Sequence, residues 1–589
     1  FGITFLTNLF EKNYNIFTDG FYITISIITI IALFSFKLYQ HYYYKLFAIA
    51  TWILLIGSLS QWFDSAFNGF SLPQRRWVYF LALSSGALIA LFIQHLSELS
   101  IKKYLIIALP LFIYSCIYII ITERSVNWMY IALMIMILLG LLIKRKSLLR
   151  RKSISIILVL LFLAQQITMV HDAKKITIEP YQSEFKTISD SSYRSKVLNR
   201  KINQMTKSSH DPSKRLDYFS YYALNSPFIY HYNGTSLYSS IFDGSILNYY
   251  DNTMQINMPA DKNSTYRYLG NRANLMALWD VQDRLRHPND LNMPFGFKKK
   301  ALIKDGKDQW IHSKNTIQYP SAHITNKIYN ANDLKSPLDR EQAMLQGVVF
   351  NNNKRANTTF SPNKNLLNDA QIQLKDSKWE KKNQLNVDKN NGGVQLILPQ
   401  SLTKKYKDMY IEMDVELLTP DKEHSIGVNE YTQNRNALSY KYRRFITPVT
   451  MRVKASDKLN IHMSKGIYRF KVKGIYGENY QTLRKASHDL KRVKVKKERN
   501  GYTMTKNKND SGYIVLPIAY AKGMKAKAGN QSITVKQANG IMTAIPAKAG
   551  QSTIRLTYTP PHFYLLIILS IIGILLSIIF ARIIKKDKI

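Results

Sequence analysis

Residues 561–583, PHFYLLIILSIIGILLSIIFARI, form an unbroken apolar run, and the basic tail KKDK follows at once. A helix rises about 1.5 Å per residue, so roughly 20 apolar residues cross the hydrocarbon core of a bilayer. Basic flanks stay on the cytoplasmic side. This one segment therefore orients everything ahead of it. The long polar stretch at residues 171–560 is expected outside the cell.

The mean hydropathy of −0.18 averages two unlike populations. Residues 21–170 are almost continuously hydrophobic, and residues 171–560 are polar and rich in Asn, Lys and Tyr. Six apolar runs lie at 21–36, 46–63, 77–95, 104–122, 128–143 and 153–170. With the terminal run they predict seven spans. Counting back from the tail puts KRKSLLRRK (144–152), the pair Lys102 and Lys103, and Lys37 and Lys45 all inside, as the positive-inside bias requires. The expected fold class is thus a polytopic α-helical membrane core of seven spans, multi-pass in a plasma membrane, with a large extracytoplasmic domain. Residues 1–170 form the membrane domain and 561–589 the last helix and tail. Residues 171–340 mix helical stretches such as NRANLMALWDVQDRL with Tyr-rich segments, which predicts an α/β region. In residues 341–560, MYIEMDVEL, GIYRFKVKGIY, GYIVLPIAY and STIRLTY are of strand length and several alternate with period two, which predicts an antiparallel β-sandwich.

The chain carries 81 Lys and Arg against 39 Asp and Glu, a formal charge of +42. Such an excess outside a membrane points either to a polyanionic neighbour, a teichoic-acid-like polymer or anionic lipid, or to a Lys/Asn-rich composition. The run KRVKVKKER at 491–499 reads either as a charged edge strand or as a polymer contact. Cys116 is the single cysteine, so there is no intramolecular disulfide and no cysteine-based metal site. The chain opens on Phe1 with no charged leader before its first apolar run, and it reads as a fragment lacking its N-terminal part.

Four stretches carry a family resemblance. They are NGFSLPQRRW at 68–77, NSPFIYHYNGTSLYSS at 225–240, the unit from GYIVLPIAYAKG to IRLTYTPP at 512–561, and the terminal apolar run. In that order, over essentially the whole chain, they resemble the YfhO-type bacterial membrane proteins. One departure is Met524, where the family often has Trp. The resemblance implies a GT-C-like glycosyltransferase that takes a sugar from an undecaprenyl-phosphate carrier outside the cell and places it on a surface polymer, for this family lipoteichoic acid. It also implies an essential acid in the first exterior loop. The chain begins after that region, so no catalytic residue is assigned.

Among the residues present, Asp64, Arg75 and Arg76 fall in the loop 64–76 at the membrane edge. Paired guanidiniums suit a lipid-linked phosphate, because arginine binds phosphate oxygens two at a time. Beside Trp62 and Trp77 they equally suit an interfacial anchor. Asn225, Tyr230, Tyr232 and Tyr238 offer aromatic faces and hydroxyls, either to a glycan or to a tyrosine-rich core. Gln165, Gln166 and His95 are polar groups within or at the end of apolar runs. No phosphate loop, dinucleotide fingerprint, zinc-protease helix or nucleophile elbow occurs, and the histidines show no zinc-like spacing. No cofactor, metal or nucleic-acid partner is expected. The expected partners are membrane lipid, a lipid-linked sugar phosphate and an anionic cell-wall polymer. Two other functions stay open: a non-enzymatic membrane protein that binds anionic polymer, and a transporter of lipid-linked sugar.

Overall fold

A computed structural model describes residues 26–586, apart from 71–76, 122–126, 151, 178–194, 208–212, 220–223, 240, 242, 259–264, 291, 352–355, 441–442 and 445. The chain divides into two compact units between residues 185 and 186.

The first unit is helical: Ile27–Phe34, Tyr42–Gly57, Gln61–Ala66, Val78–Gln94, Ile101–Ile121, Asn127–Lys144 and Lys152–Thr177. Ile28, Ile31, Leu88, Phe92 and Leu139 fill its core. Two buried tyrosines bring hydroxyls into that core and satisfy them on backbone carbonyls, Tyr44 on Ala32 at 2.7 Å and Tyr104 on Met136 at 2.6 Å.

The expectation of seven spans is corrected. Among the described residues, one helix is long and apolar enough to cross a membrane, Phe563–Phe580 within Phe563–Lys586. Two of the others fall short on length. Tyr42–Gly57 and Val78–Gln94 hold 16 and 17 residues, which reach about 24–26 Å against a core of about 30 Å. The run 46–63 does not stay one helix. Ser58 ends the first helix, and Ser60 caps the next, Gln61–Ala66, by accepting from the Phe63 N–H.

The second unit begins with a four-stranded mixed sheet in the order Arg215–Tyr218, Val281–Arg286, Asp308–Asn315, Phe297–Asp305; only the first pair is parallel. Helix Lys196–Lys207 lays Leu198 and Ile202 on Leu216, Leu285 and Ile303 of that sheet. Three short helices, Ala273–Leu278, Pro337–Gln346 and Gln481–Asp489, share a further core through Leu275, Met344 and Leu483. Ser336 and Asp339 close a reciprocal capping box on the second of them.

Instead of one β-sandwich there are two. In the first, Gln371–Lys375, Gly392–Ile397, Lys458–Met463, His424–Val428 and Tyr431–Arg435 make one antiparallel sheet. Ser377–Lys381, Gln384–Val387, Gly466–Glu478, Asp408–Thr419 and Pro448–Lys454 make the other. Val394, Leu396, Ile411, Ile461 and Phe470 fill the space between. In the second, Lys491–Arg492, His323–Thr325, Gly512–Ala519, Met542–Ala547 and Lys536–Ala538 face Lys494–Glu498, Gly501–Thr505, Thr553–Tyr558, Met524–Ala528 and Gln531–Ile533 across Ile324, Met504, Ile514, Ile545 and Leu556. His323–Thr325 precedes the first sandwich in sequence yet pairs within the second, which is why the two merge when the chain is read linearly. The basic run 491–499 is an edge of both sheets of the second sandwich. The segment from Gln371 to Lys381 does the same for the first.

Candidate functional site

Asp64 lies in helix Gln61–Ala66 and is buried. Its Oδ1 accepts from the Trp77 indole N–H at 2.7 Å, and Trp77 packs edge-on against Phe63 at 5.1 Å. The carboxylate is thus engaged by Trp77. Arg75 and Arg76 lie outside the described residues. Trp77→Phe keeps the ring contacts and removes one donor from a buried carboxylate. We expect a loss of about 1–3 kcal/mol, read as a lowered thermal midpoint of the detergent-solubilised chain. An unchanged midpoint would show that Asp64 does not depend on the indole.

Asn225, Tyr230, Tyr232 and Tyr238 are close in sequence and are used in two ways. Asn225 grips the backbone of Tyr238, donating to its carbonyl at 3.1 Å and accepting from its N–H at 2.7 Å. Tyr230 and Tyr232 are core residues. The Tyr230 hydroxyl accepts from the Ser195 N–H at 3.0 Å, and that of Tyr232 meets Ser226 Oγ at 2.8 Å. Burial pushes the Tyr232 phenol well up. Only Tyr238 of the three tyrosines is exposed.

The sequence reading missed a polar hub between the helices and the first sandwich. Arg272 is fully buried and donates to the carbonyls of Met254, Gln255 and Thr450 at 2.8–3.0 Å and to Glu341 at 3.1 Å. Tyr410 donates to the other Glu341 oxygen at 2.9 Å. Glu478 accepts from Asn274, Gln342 and the Tyr480 N–H at 2.6–3.0 Å. Asp408 takes Arg452 at 2.7 Å and the Tyr480 hydroxyl. Burial raises Glu341 to about 7 against the pull of Arg272 and Tyr410. A carboxyl held there is what a general acid needs. Glu341 has no exposed surface and both oxygens are engaged, so the hub is a structural tie.

An accessible site lies on the first sandwich. A cavity of about 350 Å³ opens on the outer face of one sheet, within the range of about 300–1,000 Å³ usual for small-molecule sites. Strand register builds it. Gln395 stands opposite Asn460, and His462 is flanked across the strands by Gly393 and Gly427. A side chain at Gly427 would bring its Cβ within 2.4 Å of the His462 ring, so this glycine makes the room. His462 Nε2 donates to the Asn429 carbonyl at 2.9 Å, and Gln395 donates to Asn460 Oδ1 at 2.6 Å. Lys375, Asn391, Glu430 and Thr432 complete the polar lining. The alternation that puts Val394, Leu396 and Ile461 in the core puts Gln395, Asn460 and His462 outside. That signal was present in the sequence, but nothing local says that such a face is concave.

In the first unit, Glu98 bridges His41 and His95, each ring nitrogen 2.8 Å from a different carboxylate oxygen. Those hydrogen bonds, His41 first, hold Glu98 down at about 2. The sequence separates His41 and His95 too widely for any spacing rule to find them.

The sequence matches the family described as bacterial membrane protein YfhO over residues 2–570. A Bacillus subtilis (strain 168) protein described as uncharacterized protein YfhO is 28% identical over 563 residues, which is 93% of this chain and 65% of the relative. The chain therefore spans just under two thirds of that relative's length. A cryo-EM structure of the mycobacterial arabinofuranosyltransferase AftD aligns over 28% of this chain and 14% of its own, at 9% identity and a TM-score of 0.11, too low to carry an argument. By the match along residues 2–570, the chain belongs to the YfhO family of bacterial membrane proteins.

Proposed function

We propose that this chain acts in a membrane glycosyltransferase of the cell envelope, moving a sugar from an undecaprenyl-phosphate carrier to a surface polymer such as lipoteichoic acid. Family membership places it at a membrane. The observation that supports the reading best is the cavity around Gln395, Asn460 and His462. Each sugar hydroxyl both donates and accepts, and side-chain amides answer in both directions. Lys375 at the rim supplies a cation for a polymer phosphate. In this reading the sandwich lies on the extracellular face and holds the acceptor, and Arg75 and Arg76 hold the carrier phosphate. Tyr238 presents a second, exposed glycan contact, with its backbone held by Asn225.

The test replaces Gln395 and Asn460 together with alanine in the full-length protein and measures sugar incorporated into the polymer at matched membrane abundance. Two lost hydrogen bonds at about 1 kcal/mol each predict roughly a tenfold or greater fall at limiting acceptor. Unchanged incorporation overturns the role of the cavity. Polymer binding without transfer from a lipid-linked donor in proteoliposomes favours a non-enzymatic polymer binder. Transbilayer movement of that donor without transfer favours a transporter.

A further inference from the structure

Three side chains from separate parts of the first unit converge outside every site described for the sugar. His41 precedes helix Tyr42–Gly57, His95 follows helix Val78–Gln94, and Glu98 ends the turn Leu96–Glu98. The two imidazoles stack with centroids 3.7 Å apart and planes 17° apart, so both present a nitrogen to the same carboxylate. One ligand atom from each residue lies within 4.8 Å of the other two. We propose that His41, His95 and Glu98 bind a divalent transition-metal ion of the zinc type.

The donor set selects the ion. Two imidazole nitrogens with one carboxylate oxygen suit Zn²⁺ and its neighbours, whereas Mg²⁺ and Ca²⁺ take oxygen ligands. Zinc ligands at about 2.0–2.2 Å in tetrahedral array stand roughly 3.3–3.5 Å apart. Both nitrogens meet Glu98 oxygens at 2.8 Å, and binding one ion turns the stacked rings apart so that their in-plane lone pairs converge. Outer partners hold Glu98: Gln40 Nε2 donates to its carboxylate Oε2 at 2.9 Å and Lys37 Nζ to its backbone carbonyl at 2.6 Å. The three side chains are partly exposed, which leaves a path for the ion and a coordination position for water. The competing arrangement is a plain tie, with a proton on each nitrogen that faces Glu98. Metal binding needs both nitrogens bare and so displaces protons. The two arrangements differ in proton count as well as in metal content.

The full chain in detergent, stripped with chelator and titrated with ZnCl₂, should take up one Zn²⁺ per molecule with proton release. Co²⁺ in its place should give the visible absorption of a low-coordinate nitrogen–oxygen site. His41→Ala and His95→Ala should each weaken uptake by more than the ~10–100-fold that loss of an outer partner costs. If these variants misfold, wild-type chain decides: Zn²⁺ should protect His41 and His95 from diethyl pyrocarbonate while exposed His488 reacts as before. No stoichiometric uptake, or uptake that leaves both histidines as reactive as His488, overturns the proposal.

Discussion

Arg272→Ala is expected to destabilise the second unit by about 3–5 kcal/mol. The guanidinium is buried without exposed surface and satisfies three carbonyls and Glu341 at once. Truncation takes a donor from four acceptors, one of them a buried carboxylate. Arg272→Lys should recover only part of this, because a point ammonium cannot serve acceptors on both arms of the fork. The control is Arg469→Ala, whose pair with Glu416 is exposed and should cost within about 1 kcal/mol. Pulse proteolysis of the detergent-solubilised chain across a urea series reads both. Equal costs for Arg272 and Arg469 would remove the hub from any account of how helices and sandwich are held together.

Acid should unfold the same unit through a buried histidine. His323 in strand His323–Thr325 has no exposed surface, and burial pushes it down to about 4 although its Nδ1–H donates to the Pro320 carbonyl at 3.0 Å. Its folded value lies below the unfolded 6.5, so the unfolded chain takes up the proton first. The stability it contributes is complete above pH 6.5 and drains away as pH falls toward 4, about 3 kcal/mol in all. His424, also lowered to about 4, adds in the same direction. Glu341 works the other way: raised from 4.5 to about 7, it contributes below pH 4.5 and loses that contribution as pH rises through 7. A wild-type pH profile alone therefore mixes the two. The stability gap between wild type and His323→Gln isolates the histidine, and it should move by about 3 kcal/mol in favour of the variant between pH 7 and 4. A gap that does not move means that His323 binds its proton equally in the folded and unfolded states.

Much of the local structure is legible in the sequence. The runs 77–95 and 128–143 coincide with helices Val78–Gln94 and Asn127–Lys144, and GYIVLPIA and TIRLTY are strands. What apolarity does not encode is reach, because a serine at position 58 or 60 costs little hydropathy yet ends or caps a helix. Strand membership is lost for a different reason. His323–Thr325 finds its neighbours about 190 residues downstream, at Tyr513–Val515, and no period reports a pairing of that kind. At the candidate sites the limit is again distance. Tyr230, Tyr232 and Tyr238 look alike in sequence, and only packing against Leu198 and Leu216 decides that the first two are core. Arg272, Glu341 and Tyr410 meet from three distant segments, as do Gln395, Asn429 and His462.

The last strand, Thr553–Tyr558, is the middle strand of its sheet, and only residues 559–562 separate it from helix Phe563–Lys586. A pull on that helix would be carried straight into the second sandwich. The load would enter along the axis of a strand bonded on both sides, to Gly501–Thr505 and to Met524–Lys527. Hydrogen bonds perpendicular to that axis are loaded together in shear and cannot open one at a time as in a peeled edge. Tension on the terminal helix thus falls on the part of the second sandwich best able to bear it.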